Sequence, residues 1–381
     1  MRNRGYKRKQ GLSLRMQIKE IFSKVPDYRK DHKFKSHLLS DILLLSLCAT
    51  LSGAETDEEI ETYGKEKESF LKNFLDLPHG IPSHDTITRV FRFLDSKHFA
   101  RCLYAHTSEV MDFLKEQHIA MDGKILRGTD KKGRRKSGIC IVTAWLCEQC
   151  LCLGQLKTSE KSSEKTAIPQ LTEEIEIENA TVSIDAIANS PAIAGQIVDK
   201  KGDYILSLKK NQKSVFEQVS NYMASHRTLF ESDRNIDFGS GRIETRTCYV
   251  TQNLTFTEGV LAWKGIQSIV MIHARREMAG VAEEQFRFYL SSKNETARYF
   301  NKRVRGHWSV ENLLHWHLDL SFNEDNSKTR MGNGAENHNT LRKIALQILQ
   351  QQNDKHSIRE RRKKAGWNNQ YLADVIQNGF T

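Results

Sequence analysis

The chain has 381 residues, more than one average domain holds, which predicts two units or one core with a large insertion. Its 58 Lys and Arg against 47 Asp and Glu leave a formal charge of +11, a surplus that points to a polyanion, nucleic acid first, or to an anionic surface. The longest apolar run, Ile42 to Leu51, is about half of the roughly 20 residues that a membrane span needs, and no signal-peptide core follows MRNRGYKRKQ, so a soluble, unsecreted, cytoplasmic protein is expected.

Residues 1–115 read as a helical N-terminal domain with a possible role in binding DNA ends. Leu38 to Leu51 is apolar at helical spacing and is followed by the acidic, solvated ETDEEIETYGKEKESFLKNFL. In IPSHDTITRVFRFLD, Pro82 and Ser83 form a plausible cap. Ile87, Val90, Phe91 and Leu94 then share one helix face, with Arg89 and Arg92 elsewhere, and both a DNA-reading helix and a packing helix fit.

Residues 116–230 change period. Strands are expected at His118 to Met121, Ile139 to Leu146 and Leu151 to Leu156, followed by a helix in EKTAIPQLTEEI, a strand TVSID, a helix from Pro191 to Lys200, a strand DYILSL and a helix from Gln212 to Met223. Three strands, helix, strand, helix, strand, helix is the ribonuclease H-like layout: an α/β fold whose mixed sheet carries helices on its faces. Residues 231–295 turn β-rich, and their runs GRIETRTCYV, GIQSIVMIHARRE and EEQFRFYLSS suggest an insertion forming an additional sheet. Residues 296–350 return to helix as the C-terminal part of the core. Residues 351–381 form a basic C-terminal tail, with Arg359, Arg361, Arg362, Lys363 and Lys364 solvated or touching a polyanion.

The seven cysteines, Cys48, Cys102, Cys140, Cys147, Cys150, Cys152 and Cys248, show no even framework of spacings, so reduced thiols are expected. Cys147 and Cys150 make a CxxC, but no second Cys or His pair follows at finger spacing. With Cys152 they sit in WLCEQCLCLGQL, which alternates like two strands and a turn, so these are read as buried structural cysteines.

Asp122 ends the first predicted strand in IAMDGKILRG, beside Gly123, which permits close backbone approach, and near Lys124 and Arg127. Asp185 ends the strand VSIDA, which the layout makes a neighbour of the first. Two aspartates on adjacent strand ends can share a hard divalent cation such as magnesium, although each alone could equally cap the following helix. In RGHWSVENLLHWHLDLSFNED, His307, Glu311, His315 and Asp319 recur every four residues on one stripe of a helix, while Val310, Leu313, Leu314 and Leu318 pack another side. A desolvated carboxylate needs a partner or a metal. Glu311 would complete a three-carboxylate site able to hold two divalent ions for in-line phosphoryl transfer. A zinc site at His307, Glu311 and His315 is the rival, although the spacing is not HExxH. Trp308 and Trp316 are core or base-stacking residues.

MDGKILRG, SIDA, GDYILSLKKNQ, GRIETR and above all HWSVENLLHWHLDLSFNEDNSKTR resemble the H-repeat-associated family of bacterial insertion-sequence transposases, of the DDE type, over roughly residues 10 to 350. The resemblance implies a ribonuclease H-like core with a β-rich insertion between the second Asp and the Glu. It also implies DNA strand cleavage and joining dependent on two Mg²⁺ ions, with Mn²⁺ as a substitute, and a catalytic, metal-holding triad of Asp122, Asp185 and Glu311. The implied partners are double-stranded DNA, as element ends and target, and a second copy of the chain, in a bacterial cytoplasm at the nucleoid. Lys124, Arg127, Lys209, Lys210, Asn211 and Gln212 adjoin the predicted strand ends and are candidates to hold phosphates, or are solvated surface charge. Where the family commonly has a His-Thr-Gln-like stretch after the second Asp, this chain reads AIANSPAIAG. Where related transposases carry an Arg four residues before the Glu, it has His307, with Arg303 or Arg305 to supply the charge and Trp308 beside it as a further DNA contact. Glu324 and Asp325 are rival third ligands. A DNA-binding regulator without catalysis, and a plain metal-dependent nuclease, are the rival functions.

Overall fold

In the computed structural model, which describes residues 14–29, 35–101, 116–130, 138–158, 164–239 and 241–378, the alternating segments form one nine-stranded sheet. The basic N-terminal segment and Cys102 lie outside the described residues. The strands are β1 His118–Leu126, β2 Ile139–Leu146, β3 Leu151–Lys157, β4 Thr181–Ile184, β5 Asp203–Leu208, β6 Glu231–Gly239, β7 Arg242–Thr251, β8 Ser268–Met278 and β9 Val281–Ser291. The helices are α1 Leu14–Ser23, α2 Leu39–Leu51, α3 Asp57–Glu66, α4 Glu68–Leu71, α5 His84–Phe93, α6 Glu164–Glu174, α7 Pro191–Asp199, α8 Lys213–His226, α9 Ala297–His307, α10 Trp316–Leu320, α11 Gly334–Gln350, α12 Ile358–Trp367 and α13 Asn369–Asn378.

The strands lie in the order β3-β2-β1-β4-β5-β9-β8-β7-β6. β2 and β3 are antiparallel, whereas β1, β4 and β5 run parallel, which requires the crossovers that α6 and α7 supply. Sheet order and crossovers together are ribonuclease H-like. The additional sheet expected over residues 231–295 does not form. β9 pairs with β5 from Ile205↔Ser291 to Leu208↔Phe288, so β6 to β9 prolong the core sheet. The reason is that β5 without β9 would leave a row of unpaired N–H and C=O groups. Helix α9 closes one face of this extension, packing Ala297, Phe300 and Val304 on Cys248, Val250, Val270, Ile272 and Tyr289. Cys147 and Cys150 of the β2–β3 turn and Cys152 of β3 form no disulfide; Cys147 and Cys152 are buried and Cys150 is half-buried at φ 57°.

The chain divides into two compact units: Met1–Val110 with Ile125–Ile139 and Leu314–Thr381, and Met111–Lys124 with Cys140–Leu313. In the first, α2 is apolar all round and correspondingly buried on every side, meeting α1, α3, α11 and α12. Helix α5 starts as its sequence signals, with Ser83 Oγ accepting from the Thr86 N–H at 3.4 Å. Its face of Ile87, Val90 and Phe91 is buried against α3 and α11. The stretch expected to be a basic tail is instead the helices α12 and α13, and two of its five cations are buried. Arg361 donates to the carbonyls of Leu349, Gln352 and Asp354, and Arg362 to those of Thr50, Ala54 and Ser321. Those carbonyls, at helix ends and in the loops just after them, supply the partners that composition does not show. Among the described residues no helix is long and apolar enough to cross a membrane.

Candidate active site

β1 and β4 pair in parallel register up to Met121↔Ile184, and the next residue of each is an aspartate. Asp122 and Asp185 thus leave the paired segment side by side. β1 runs on to Leu126, so Asp122 sits within the strand rather than at its end. Gly123 leaves room there for Glu164, whose carboxylate a Cβ at this position would meet at 2.2 Å and push aside. Glu311 arrives from α9, which does not continue as a regular α-helix through the predicted stripe. After His307 the chain turns, and Val310–His315 is π-helical before α10 begins. Such wide turns commonly mark functional sites. Here the turn leaves Glu311 exposed with a carboxylate oxygen within 4.8 Å of one on Asp122. Asp122, Asp185 and Glu311 all line one cleft of about 660 Å³ within the second unit, together with Lys209, Lys210, Arg287, Tyr289, His307 and Trp308.

Lys209, just past β5, places Nζ 2.9 Å and 3.0 Å from the two oxygens of Asp185. Burial pushes the Asp185 carboxyl up, but the Lys209 hydrogen bond, the Ala186 N–H and the charges of Lys209 and His307 outweigh it, leaving the group below its ordinary value. Burial holds the His307 imidazole below its ordinary value, against the pull of Asp122 and Asp185.

The other cations and amides expected at DNA have varied surroundings. Lys210 is exposed beside the cleft, and Lys124 is half-buried. Asn211 donates to the Ala186 carbonyl at 2.7 Å and Gln212 to that of Asn189 at 3.2 Å, so both amides brace the loop after Asp185. Asn189 itself is fixed by Ser207 and by the Trp263 indole, an anchor for the AIANSP stretch. Arg303 is buried and engaged by Glu148 and the Glu116 carbonyl, which leaves no donor fork for a phosphate and makes it a structural group. Arg305 is exposed and paired with Asp237. Arg127 falls in the first unit, its Nε 3.5 Å from Asp325. Glu324, a rival third ligand, is buried in that unit and accepts from Asn339 and Arg342. Trp308 is part-exposed and carries the guanidinium of Arg287 at 4.7 Å above its ring. Sequence reading missed Arg287, Ser183 and His118. Only alternation within a strand marked them, and alternation carries no information on what a strand neighbours.

Three carboxylates lining one cleft, two from adjacent parallel strands and one from the π-helical turn, suit a hard divalent ion, and the Lys209 ammonium paired with Asp185 is a cation already held there. Residues 113–348 match the model described as Transposase DDE domain, and residues 19–107 that described as DDE_Tnp_1-associated. "Putative transposase YncI" of Escherichia coli O157:H7 is 36% identical over 366 residues, covering 94% of this chain and 93% of its own length. "H repeat-associated putative transposase YhhI" of Escherichia coli K12 is 36% identical over 377 residues, covering 94% and 97%. Among solved structures, a cryo-EM structure of piggyBac transposase in a synaptic complex with hairpin DNA aligns at TM-score 0.44 and 10% identity, over 95% of this chain and 80% of that one. By the match over residues 113–348 and these full-length relatives, the chain belongs to the transposase DDE domain family, in its H-repeat-associated branch.

Proposed function

We propose that the protein is an active DDE transposase that cuts DNA at insertion-sequence ends and joins the freed 3′ ends to target DNA, with Asp122, Asp185 and Glu311 as its catalytic carboxylates. The observation that carries this reading is the approach of the Asp122 and Glu311 carboxylates to within 4.8 Å in a cleft that Asp185 also lines. Like charges brought that close repel unless a cation lies between them. Two Mg²⁺ ions, or Mn²⁺, held by these residues would activate the attacking oxygen and offset charge on the leaving one.

The chain's own residues do the rest. Lys209 and Lys210 line the cleft and would hold phosphate oxygens, Lys209 from its place beside Asp185. Arg287, fixed over Trp308, offers a planar donor fork to the backbone. Lys124 and Arg305 add charge to the second unit and Arg127 to the first, whereas Asn211 and Gln212 act through the loop that they brace. The site handles one phosphodiester at a time, so two chains, one for each element end, would work as a homodimer on DNA at the nucleoid.

The test is cleavage and joining of a labelled duplex carrying the element's flanking ends, with Mg²⁺ or Mn²⁺. Wild type is expected to give joined products, and Asp122→Asn, Asp185→Asn and Glu311→Gln are expected to give neither cut nor joined DNA. Hydrolysed ends without joining would make the protein a nuclease, and tight binding without any cut a DNA-binding regulator. Full cleavage in one clean variant would remove that residue from the site.

A further inference from the structure

Behind the carboxylates runs a chain of three polar side chains on three different elements. His307, the last residue of α9, lines the cleft, and its Nδ1 lies 2.7 Å from Ser183 Oγ on β4. The same hydroxyl lies 2.7 Å from Nε2 of His118 on β1, a ring that is buried. A hydroxyl can accept two hydrogen bonds but has one proton to give, and among the described residues Ser183 Oγ meets only these two rings; if both donated to it, its own buried proton would have no acceptor, so with neutral rings the chain has two polarities. In one, His118 Nε2–H donates to Ser183, Ser183 donates to His307 Nδ1, and His307 carries its own proton on Nε2. In the other, His307 Nδ1–H donates to Ser183, Ser183 donates to His118 Nε2, and His118 must carry its proton on Nδ1.

His118 Nδ1 decides between them. It is buried and has no hydrogen-bond partner. Gly306 of α9 closes against it so tightly that a Cβ there would lie 3.0 Å from this nitrogen. A buried N–H with no acceptor is costlier than a ring lone pair left bare, so the proton of His118 belongs on Nε2. Both rings are neutral. Burial holds His118 well below its ordinary value, helped by the Arg303 charge, and burial likewise holds His307 down.

We propose that His118 and Ser183 are positioning residues that lock His307 as its Nε2–H tautomer, so that His307 is a hydrogen-bond donor to a non-bridging oxygen of the phosphate under attack, and not a cation ligand. The two roles exclude each other. A ligand needs the Nε2 lone pair, which only the opposite polarity would free. The substrate in this proposal rests on the reaction proposed above, whereas the tautomer rests on the hydrogen-bond geometry and on the burial of the two rings.

Long-range ¹H–¹⁵N spectra of the full chain labelled at histidine nitrogens test the tautomer at pH 7 without any variant beyond those that assign the signals, His307→Gln and His118→Gln. The expected pattern is a protonated Nε2 and a hydrogen-bond-accepting Nδ1 on His307. Ser183→Ala is expected to mix the two tautomers and to slow cleavage about tenfold, and His307→Phe to slow it by about 10²–10³, as losing one preorganised donor does. His307→Arg, which donates but cannot ligate, is expected to return the rate to within about tenfold of wild type, whereas a metal ligand would not be replaced by Arg. A protonated Nδ1 on His307, or an imidazolium, overturns the relay. So does an Arg variant as inactive as the Phe variant. A wild type that cuts nothing would instead overturn the proposed reaction, and the donor role with it, while leaving the tautomer assignment standing.

Discussion

Lys209 holds both oxygens of Asp185, so any cation bound by that carboxylate competes with an ammonium already in place. Both side chains are about half exposed, which screens the pair. Replacing Lys209 with Gln is therefore expected to tighten Mn²⁺ binding by only about fivefold while slowing cleavage; weaker Mn²⁺ binding in a titration followed by electron paramagnetic resonance would contradict this. His118 gives a second residue-scale expectation. Its folded pKa lies well below the ordinary 6.5, so as pH falls through that value the unfolded chain takes up a proton that the folded one refuses. The stability from the neutral ring is therefore complete above pH 6.5 and is lost at about 1.4 kcal/mol per pH unit below it. Urea unfolding at pH 7, 6 and 5 should show this slope in wild type and a shallower one in His118→Gln. The aspartates were legible in the sequence because a carboxylate closing an apolar run has few other reasons to be there. His118 and Ser183 were not, since they meet across residues far apart in the chain, and neither breaks the alternation of its strand.

At the scale of elements, α12 is held by the groups that its composition assigns to solvent. The Arg362 guanidinium lies 4.3 Å over the Phe322 ring and serves three carbonyls. Arg362→Met is expected to destabilise the fold by about 2–4 kcal/mol through orphaned carbonyls, with DNA affinity little changed; the opposite pattern in chemical denaturation and binding would restore a DNA-contacting role. Gly306→Ala separates two local effects. Alanine favours the helix by about 1 kcal/mol, yet its Cβ would press on a ring held at Nε2 by a hydrogen bond, so a net loss of stability is expected. The strands and most helices could be read from periodicity alone. The β5–β9 pairing could not, because register between residues some 80 apart leaves no local trace, and neither could the π-helical turn, whose four-residue stripe is the one a plain α-helix shows.

For the whole molecule, the net charge of +11 predicts DNA binding that weakens steeply with salt. Arg287, lining the cleft, is expected to account for about one unit of the log–log salt slope, so Arg287→Ala should shallow it by that amount across unrelated DNA sequences. An unchanged slope would move the phosphate path away from the β8–β9 end of the sheet. Composition pointed to a polyanion partner and to more than one unit; the chain does divide into two, but which segments make each was not legible, because compactness depends on contacts between residues at opposite ends of the chain.

The first unit joins helices from both ends of the chain, and this sets an order on the ribosome. Helix α2, apolar on every side, is synthesised roughly 280 residues before α11, one of the helices that cover it. At ~5–20 residues per second, that is an interval of roughly 15–60 s during which a sticky helix lacks much of its cover. Newly made chains should therefore be clients of holding chaperones, and any copy that stops short of Gly334 should be cleared by proteolysis rather than accumulate as a folded fragment.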